Sequence, residues 1–165
     1  MLNVVVFSDS HGKRDRVATL MQKTKADVVL FLGDGLADLD AIDERIDVRA
    51  VRGNCDFFSH EDAPTSRIVE LGAYRLYLTH GHKEGVKYGL DTAIAAALAA
   101  NADALLYGHT HRAMERTFTV GTTLAGETLT RPFLVLCPGS LGDSDATFAT
   151  LTPTQSGLLA NIAKL

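Results

Sequence analysis

The chain has only two cysteines, and Cys55 and Cys137 lie far apart with no Cys-x-x-Cys spacing. That argues against a structural zinc knuckle, and two free thiols suit a reducing compartment. Nor does any apolar stretch approach the ~20 residues needed to span a bilayer. The N-terminus enters a strand directly with no basic leader before it. No membrane contact and a cytoplasmic location are therefore expected. Positive charge is short as well: the formal net charge is −4, which argues against an extended nucleic-acid groove held by counterion release. Linkers, internal repeats and low-complexity tracts are also lacking, so one domain over residues 1–165 is expected. A chain of this length can bury about two-thirds of its unfolded surface around one core. A hydrophobic content of 46% and a charged content of 22% are ordinary for a soluble globular protein.

What the chain does have is five short apolar runs, each ending in a metal-ligating residue type. Val4 to Phe7 leads into Ser8-Asp9-Ser10-His11, Val28 to Leu32 into Gly33-Asp34, and Val48 to Arg52 into Gly53-Asn54-Cys55-Asp56. Leu76 to Leu78 leads into Thr79-His80-Gly81-His82, and Ala104 to Tyr107 into Gly108-His109-Thr110-His111. If the runs are buried strands, these groups sit at the same edge of one sheet, where α/β folds place their ligands. Any one of them alone reads as a turn or cap residue. Their recurrence at five strand ends, with five of the six histidines among them and only His60 outside, points instead to a site.

Helical spacing separates the strands: Val17, Leu20, Met21 and Thr24 mark a helix from about Lys13 to Lys25. Leu90, Ala93, Ile94, Ala97 and Leu98 mark another, closing near Asn101. Ser66 to Leu71 and Tyr74 to Thr79 predict a hairpin around Gly72-Ala73. Beyond His111 the chain turns to short, Thr-rich strands at Met114 to Val120, Gly121 to Thr130, Phe133 to Cys137, Thr147 to Leu151 and Leu158 to Ile162. The expected architecture is α/β, two packed mixed β-sheets flanked by helices.

If the backbone stays extended, Asp9 and His11 point the same way, as do His109 and His111. Gly33, Gly53, Gly81 and Gly108 stand where the backbone must turn tightly or let a phosphate approach. Carboxylate, imidazole and amide oxygen without thiolate form a set that suits Mn, Fe, Co, Ni or Zn and suits Ca poorly.

The order Asp-x-His, Gly-Asp, Gly-Asn, Thr-His-Gly-His and Gly-His-x-His over residues 9 to 111 resembles the calcineurin-like metallophosphoesterase superfamily, in its small bacterial and archaeal phosphodiesterase branch. Pro138-Gly139-Ser140 shares the resemblance. It implies a four-layer α/β/β/α sandwich and two divalent transition metals per chain, manganese first among them. One metal would take Asp9, His11, Asp34 and His111; the other Asp34, Asn54, His80 and His109. Asp34 would bridge, and Asp34, Asn54, His80 and His109 would form the catalytic centre. The implied activity is hydrolysis of small or nucleotide-like phosphodiesters by in-line attack of a metal-bridging hydroxide. Two alternatives stand beside it: a non-catalytic scaffold on the same fold, like the retromer subunit, and a phosphomonoesterase or nucleoside-polyphosphate hydrolase. A homo-oligomer is left open.

In many members of that superfamily the Gly-Asn pair is followed by a histidine able to protonate the leaving alkoxide. Here Cys55 stands in that place. Cys55 is then either a weak proton donor at the leaving-group side or a small buried filler. Asp56 is expected to orient a ligand imidazole or the loop. His82 and Arg112, and Arg52 with them, are candidates for contact with substrate anions, against the plainer readings of a backbone-satisfied turn histidine and solvated arginines. Phe57 and Phe58 are expected in the core, with a substrate wall or dimer contact as the other reading, and Gly12 opens a helix whose amides can hold anions.

Overall fold

The computed structural model describes residues 2–57 and 62–165. Its first sheet is built from β1 (Val4–Phe7), β2 (Val28–Phe31) and β3 (Asp47–Ala50), with α1 (Arg14–Thr24) between β1 and β2 and a 3-10 helix, Leu36–Ala41, between β2 and β3. The second begins with the hairpin β4 (Ser66–Leu71) and β5 (Tyr74–Thr79), followed by α2 (Asp91–Ala99), β6 (Ala104–Tyr107) and β7 (Met114–Phe118). A two-strand ribbon, β8 (Thr123–Leu124) and β9 (Glu127–Thr128), precedes β10 (Phe133–Cys137), and β11 (Thr147–Pro153) and β12 (Leu158–Lys164) close the chain.

The strand orders are β12-β11-β1-β2-β3 and β4-β5-β6-β10-β7. In the first sheet β1, β2 and β3 run parallel, with β11 and β12 antiparallel. In the second, β5, β6 and β10 run parallel between antiparallel edges. Both sheets are therefore mixed, as the sequence leads one to expect.

Continuous apolar runs such as Val4-Val5-Val6-Phe7 arise because both faces of each central strand are covered. Alternate residues serve different layers. Val4, Val6 and Leu30 meet Leu76, Leu78, Leu106 and Leu136 between the sheets. Val5, Phe7 and Phe31 pack outward on Val17 and Leu20 of α1. Leu105, Tyr107 and Val135 pack outward on Ala93, Ile94 and Ala97 of α2. Helix, sheet, sheet and helix thus form four layers. Helix α1 ends at Lys25, whose left-handed φ of 49° lets its amide reach the Met21 carbonyl; α2 closes near Asn101, whose amide bonds Leu98.

Two expectations change. The five liganding strand ends belong to two sheets, three to the first and two to the second, because β5 pairs with β4 and β6 and not with β3. Residues 121–130 form the ribbon β8–β9, since Gly126 with φ 81° beside Ala125 turns the chain back on itself. The 3-10 helix carries no periodic signal long enough to read. Among the described residues, no helix is long and apolar enough to cross a membrane.

Candidate metal centre

The loops after β1, β2, β3, β5 and β6 meet at one edge of the sandwich, where both sheets contribute. Asp9, after β1, is fully buried. Its Oδ2 accepts from the Ser8 hydroxyl at 2.5 Å and the His109 amide at 3.1 Å, whereas Oδ1 has no hydrogen-bond partner among the described residues. Two imidazoles turn toward that oxygen, His111 Nε2 at 3.1 Å and His11 Nε2 at 3.5 Å, and the two ring nitrogens are 3.3 Å apart. His111 Nδ1 lies 3.3 Å from both oxygens of Asp143. A carboxylate there claims the Nδ1 proton and leaves Nε2 as a lone pair. Burial pushes the Asp9 carboxyl up, against the charges of His80 and His111 and the Ser8 hydrogen bond.

A second group adjoins the first. Asp34 Oδ1 accepts the Cys55 amide at 2.7 Å, while Oδ2 lies 3.2 Å from His80 Nε2 and 3.7 Å from His11 Nε2. One carboxylate oxygen therefore faces both groups. The other carboxylate oxygen is held by the backbone of the loop after β3. His80 is fully buried and its Nδ1 donates to the Leu32 carbonyl at 2.7 Å. Its Nε2 then faces two acceptors, Asp34 Oδ2 and, at 3.0 Å, Asn54 Oδ1. Burial alone would lower the His80 pKa, yet the Asp34 hydrogen bond and the Asp9 and Asp34 charges raise it. Asp34 in turn is held well below the usual carboxylate range, its burial outweighed by His80 and the Cys55 amide. His109 completes this group with Asp34 and His80. Its ring centroid is 4.9 Å from that of His80, and burial, the His80 charge and Lys87 push its pKa down to about 4.

These groups fit cations. Metal bonds of about 2.1 Å place adjacent ligand atoms about 3.0–3.4 Å apart, and the separations of 3.1, 3.2 and 3.3 Å fall in that range. An unpaired buried carboxylate oxygen facing imidazole nitrogens is costly unless positive charge lies between them.

The backbone shows why the site is not an extended ribbon. Asp9, His11, Asp34, His109 and His111 all have φ between 46° and 67°, so the expectation of extended Asp-x-His segments fails. Left-handed backbone at non-glycine residues costs free energy and gathers where a site demands it. Gly53 leaves no room for a side chain: a Cβ there would meet Asp34 Oδ1 at 2.0 Å. Its missing side chain lets the Asp34 carboxylate pack against the loop after β3. Asp56, 5% exposed, accepts the amides of Asp34, Gly35, Leu36 and Gly53 at 2.8 to 3.0 Å. Of its two expected roles it takes the loop and not an imidazole.

Cys55 is exposed, which rules out the buried-filler reading. Its sulfur lies with His11 and Asp34 in a third group whose ligand atoms are all within 4.8 Å, so the donor set has a thiol in reach. Its pKa is raised by burial and by the Asp34 charge. His82 borders the site, its ring centroid 5.4 Å from that of His80, and its Nδ1 is buried without a hydrogen-bond partner among the described residues, against the backbone-satisfied reading. Burial and the His80 charge lower its pKa. Arg112 is exposed. The Arg52 amide donates to Pro64. Phe57 is 75% exposed and so is not core; Phe58 lies outside the described residues. Gly12 precedes α1, but its amide already donates to Asp38.

Asp143 escaped sequence reasoning. Its only signal is its place three residues beyond Ser140 in the Pro-Gly-Ser segment. That segment folds onto the site because Ser140 Oγ and the Gly142 amide both bond the Asp9 carbonyl at 2.9 Å, and the Leu141 amide bonds Ser8.

Comparison with known proteins bears on the family and the fold. The pattern describing the calcineurin-like phosphoesterase superfamily domain matches residues 2–156. Probable metallophosphoesterase YsnB of Bacillus subtilis is 30% identical over 141 residues, covering 85% of this chain and 75% of that protein. A probable metallophosphoesterase of Mycoplasma pneumoniae is 31% identical over 114 residues, covering 67% and 69%. Among solved structures, a conserved uncharacterized protein of Streptococcus pneumoniae described as a predicted phosphoesterase superposes with a TM-score of 0.74 at 24% identity, over 99% of this chain and 89% of that one. Vps29 of Chaetomium thermophilum superposes at 0.72 and 18% identity, over 99% and 95%. These two likenesses speak for the fold.

Proposed function

From the premise that the chain belongs to the calcineurin-like phosphoesterase superfamily, we propose that it is a phosphodiesterase working with two divalent transition metals, manganese first and nickel, iron, cobalt or zinc after it. The observation that carries this reading is Asp34 Oδ2, which faces His80 on one side and His11 on the other. Asp9, His11, Asp34 and His111 would hold one cation, and Asp34, Asn54, His80 and His109 the other. Bound cations supply Lewis-acid charge to a phosphoryl oxygen and lower the pKa of a water at the site.

The chain's own groups prepare this. The Cys55 amide fixes the carboxylate of Asp34, the Leu32 carbonyl fixes the ring of His80, and Asp143 fixes that of His111. His109 and His82, whose pKa values are lowered, stand neutral beside the site. Neutral neighbours offer little to the second negative charge of a monoester, which favours a diester monoanion. Cys55 keeps its proton but is a poor acid toward a basic alkoxide, so diesters with good leaving groups should react best. Residues 1–165 are taken as one such domain and the compartment as the cytoplasm, in keeping with two free thiols.

The test combines metal analysis with rates. Asp34→Ala should lose both cations and Asn54→Ala only one, and chelation should abolish hydrolysis of bis(p-nitrophenyl) phosphate. That diester should be cleaved faster than p-nitrophenyl phosphate. Two cations retained in Asp34→Ala, or a clear monoester preference, would overturn the reading.

A further inference from the structure

Beside the metal centre, between the loop after β5 and the loop after β6, runs an open groove of about 570 Å³. Its floor is apolar: Val86, Leu90, Tyr107 and Met114 line it. Lys87 and Arg112 stand on its walls, both exposed. Among the described residues neither side chain has a carboxylate partner, although acidic residues outnumber basic ones in the chain. Elsewhere three exposed arginines are paired, Arg45 with Asp43, Arg49 with Asp47 and Arg131 with Asp103.

The groove adjoins the liganding loop after β6. Thr110, on its wall, is the residue between His109 and His111. The charge of Lys87 reaches His109, where it helps to depress the imidazole pKa. Val86 holds the β5 loop in place by packing on Gly81, where a Cβ would meet it at 2.6 Å.

We infer that this groove holds one arm of the phosphodiester, an arm with a flat apolar body and a second anionic group of its own, as in a nucleotide bearing a further phosphate. The apolar floor removes the ring from water, and Lys87 and Arg112 meet the second anion. The inference rests on the proposed diesterase reading and deepens it by naming the arm.

Three diesters sharing a p-nitrophenyl leaving group separate the two. They are bis(p-nitrophenyl) phosphate, the p-nitrophenyl ester of thymidine 5′-phosphate, and the same ester carrying a 3′-phosphate. In the wild type the last should exceed the second in kcat/KM by about five- to tenfold, through KM, as two exposed charge contacts allow. The ratio should shrink at high salt, collapse toward one in Lys87→Ala and Arg112→Ala, and survive in Lys87→Arg. Calorimetry with thymidine 3′,5′-bisphosphate should show the same order of binding. Hydrolysis of all three with no preference for the 3′-phosphate would overturn the groove assignment alone. Hydrolysis of none would overturn the diesterase reading and the groove assignment with it.

Discussion

At the scale of the residue, His80 shows how the site manages charge before any cation arrives. Its Nδ1 is committed to Leu32 and its Nε2 faces Asn54 and Asp34, so acceptors at both ring nitrogens push the pKa of this fully buried ring up against the effect of burial. A pKa raised in the folded state contributes stability that is complete below the unfolded value of about 6.5 and is lost as pH rises through the folded value. A cation at the same place requires the ring neutral and displaces that proton. Chelated protein should therefore lose Tm as pH rises above about 6.5, while metal-loaded protein holds it, so that the gap between them widens toward pH 8. Thermal melts at several pH values with and without chelator measure this directly. A chelated Tm that stays flat across that range would show that His80 carries no extra proton.

The next scale is the element, here the turn after β3. Residues Gly53 to Asp56 deliver Asn54 to His80, the Cys55 amide to Asp34 and the Asp56 carboxylate to four backbone amides of the β2 and β3 loops. Asp56 is thus the tie between two liganding loops that sequence alone leaves independent. Asp56→Ala strands those amides and should cost about 2–4 kcal/mol, given that each hydrogen bond to a charged group contributes about 1.5–3 and water recovers part of the loss. Asp56→Asn keeps the shape but offers one acceptor oxygen where two are used, so it should fall between wild type and alanine. Denaturant unfolding measures the cost, and metal analysis of the same variants should show weakened binding, since Asp34 moves when its amide is released. Wild-type stability in Asp56→Ala would mean that water replaces the carboxylate at no loss.

For the whole molecule, stability and site separate by layer. Leu76, fully buried between the sheets, packs among Leu78, Leu106 and Leu136. Leu76→Ala should lose about 2–5 kcal/mol and lower the Tm of chelated and loaded protein alike. The rise on adding metal, about 5–10 °C for each cation bound at a hundredfold excess over its Kd in a chain of this size, should be kept. A lost metal response would show that the inter-sheet core also sets the ligand geometry. Much of this plan was legible in the residues. Val4 to Phe7, Val28 to Phe31 and Ala104 to Tyr107 are apolar on both faces, and a strand covered twice has to be so; the Ser66–Leu71 and Tyr74–Thr79 hairpin follows from alternation around Gly72. All seven ligand candidates could be named because strand ends are short-range features, written within two or three residues of the runs they follow. Only the tertiary structure decided that the five ends belong to two sheets, that Asp34 turns a single oxygen to both groups, that Asp143 folds back across more than thirty positions onto His111, and that Cys55 is exposed. Pairing between strands, the direction of a side chain in left-handed backbone and the approach of distant loops depend on contacts between residues far apart in the chain, and local periodicity carries no term for them.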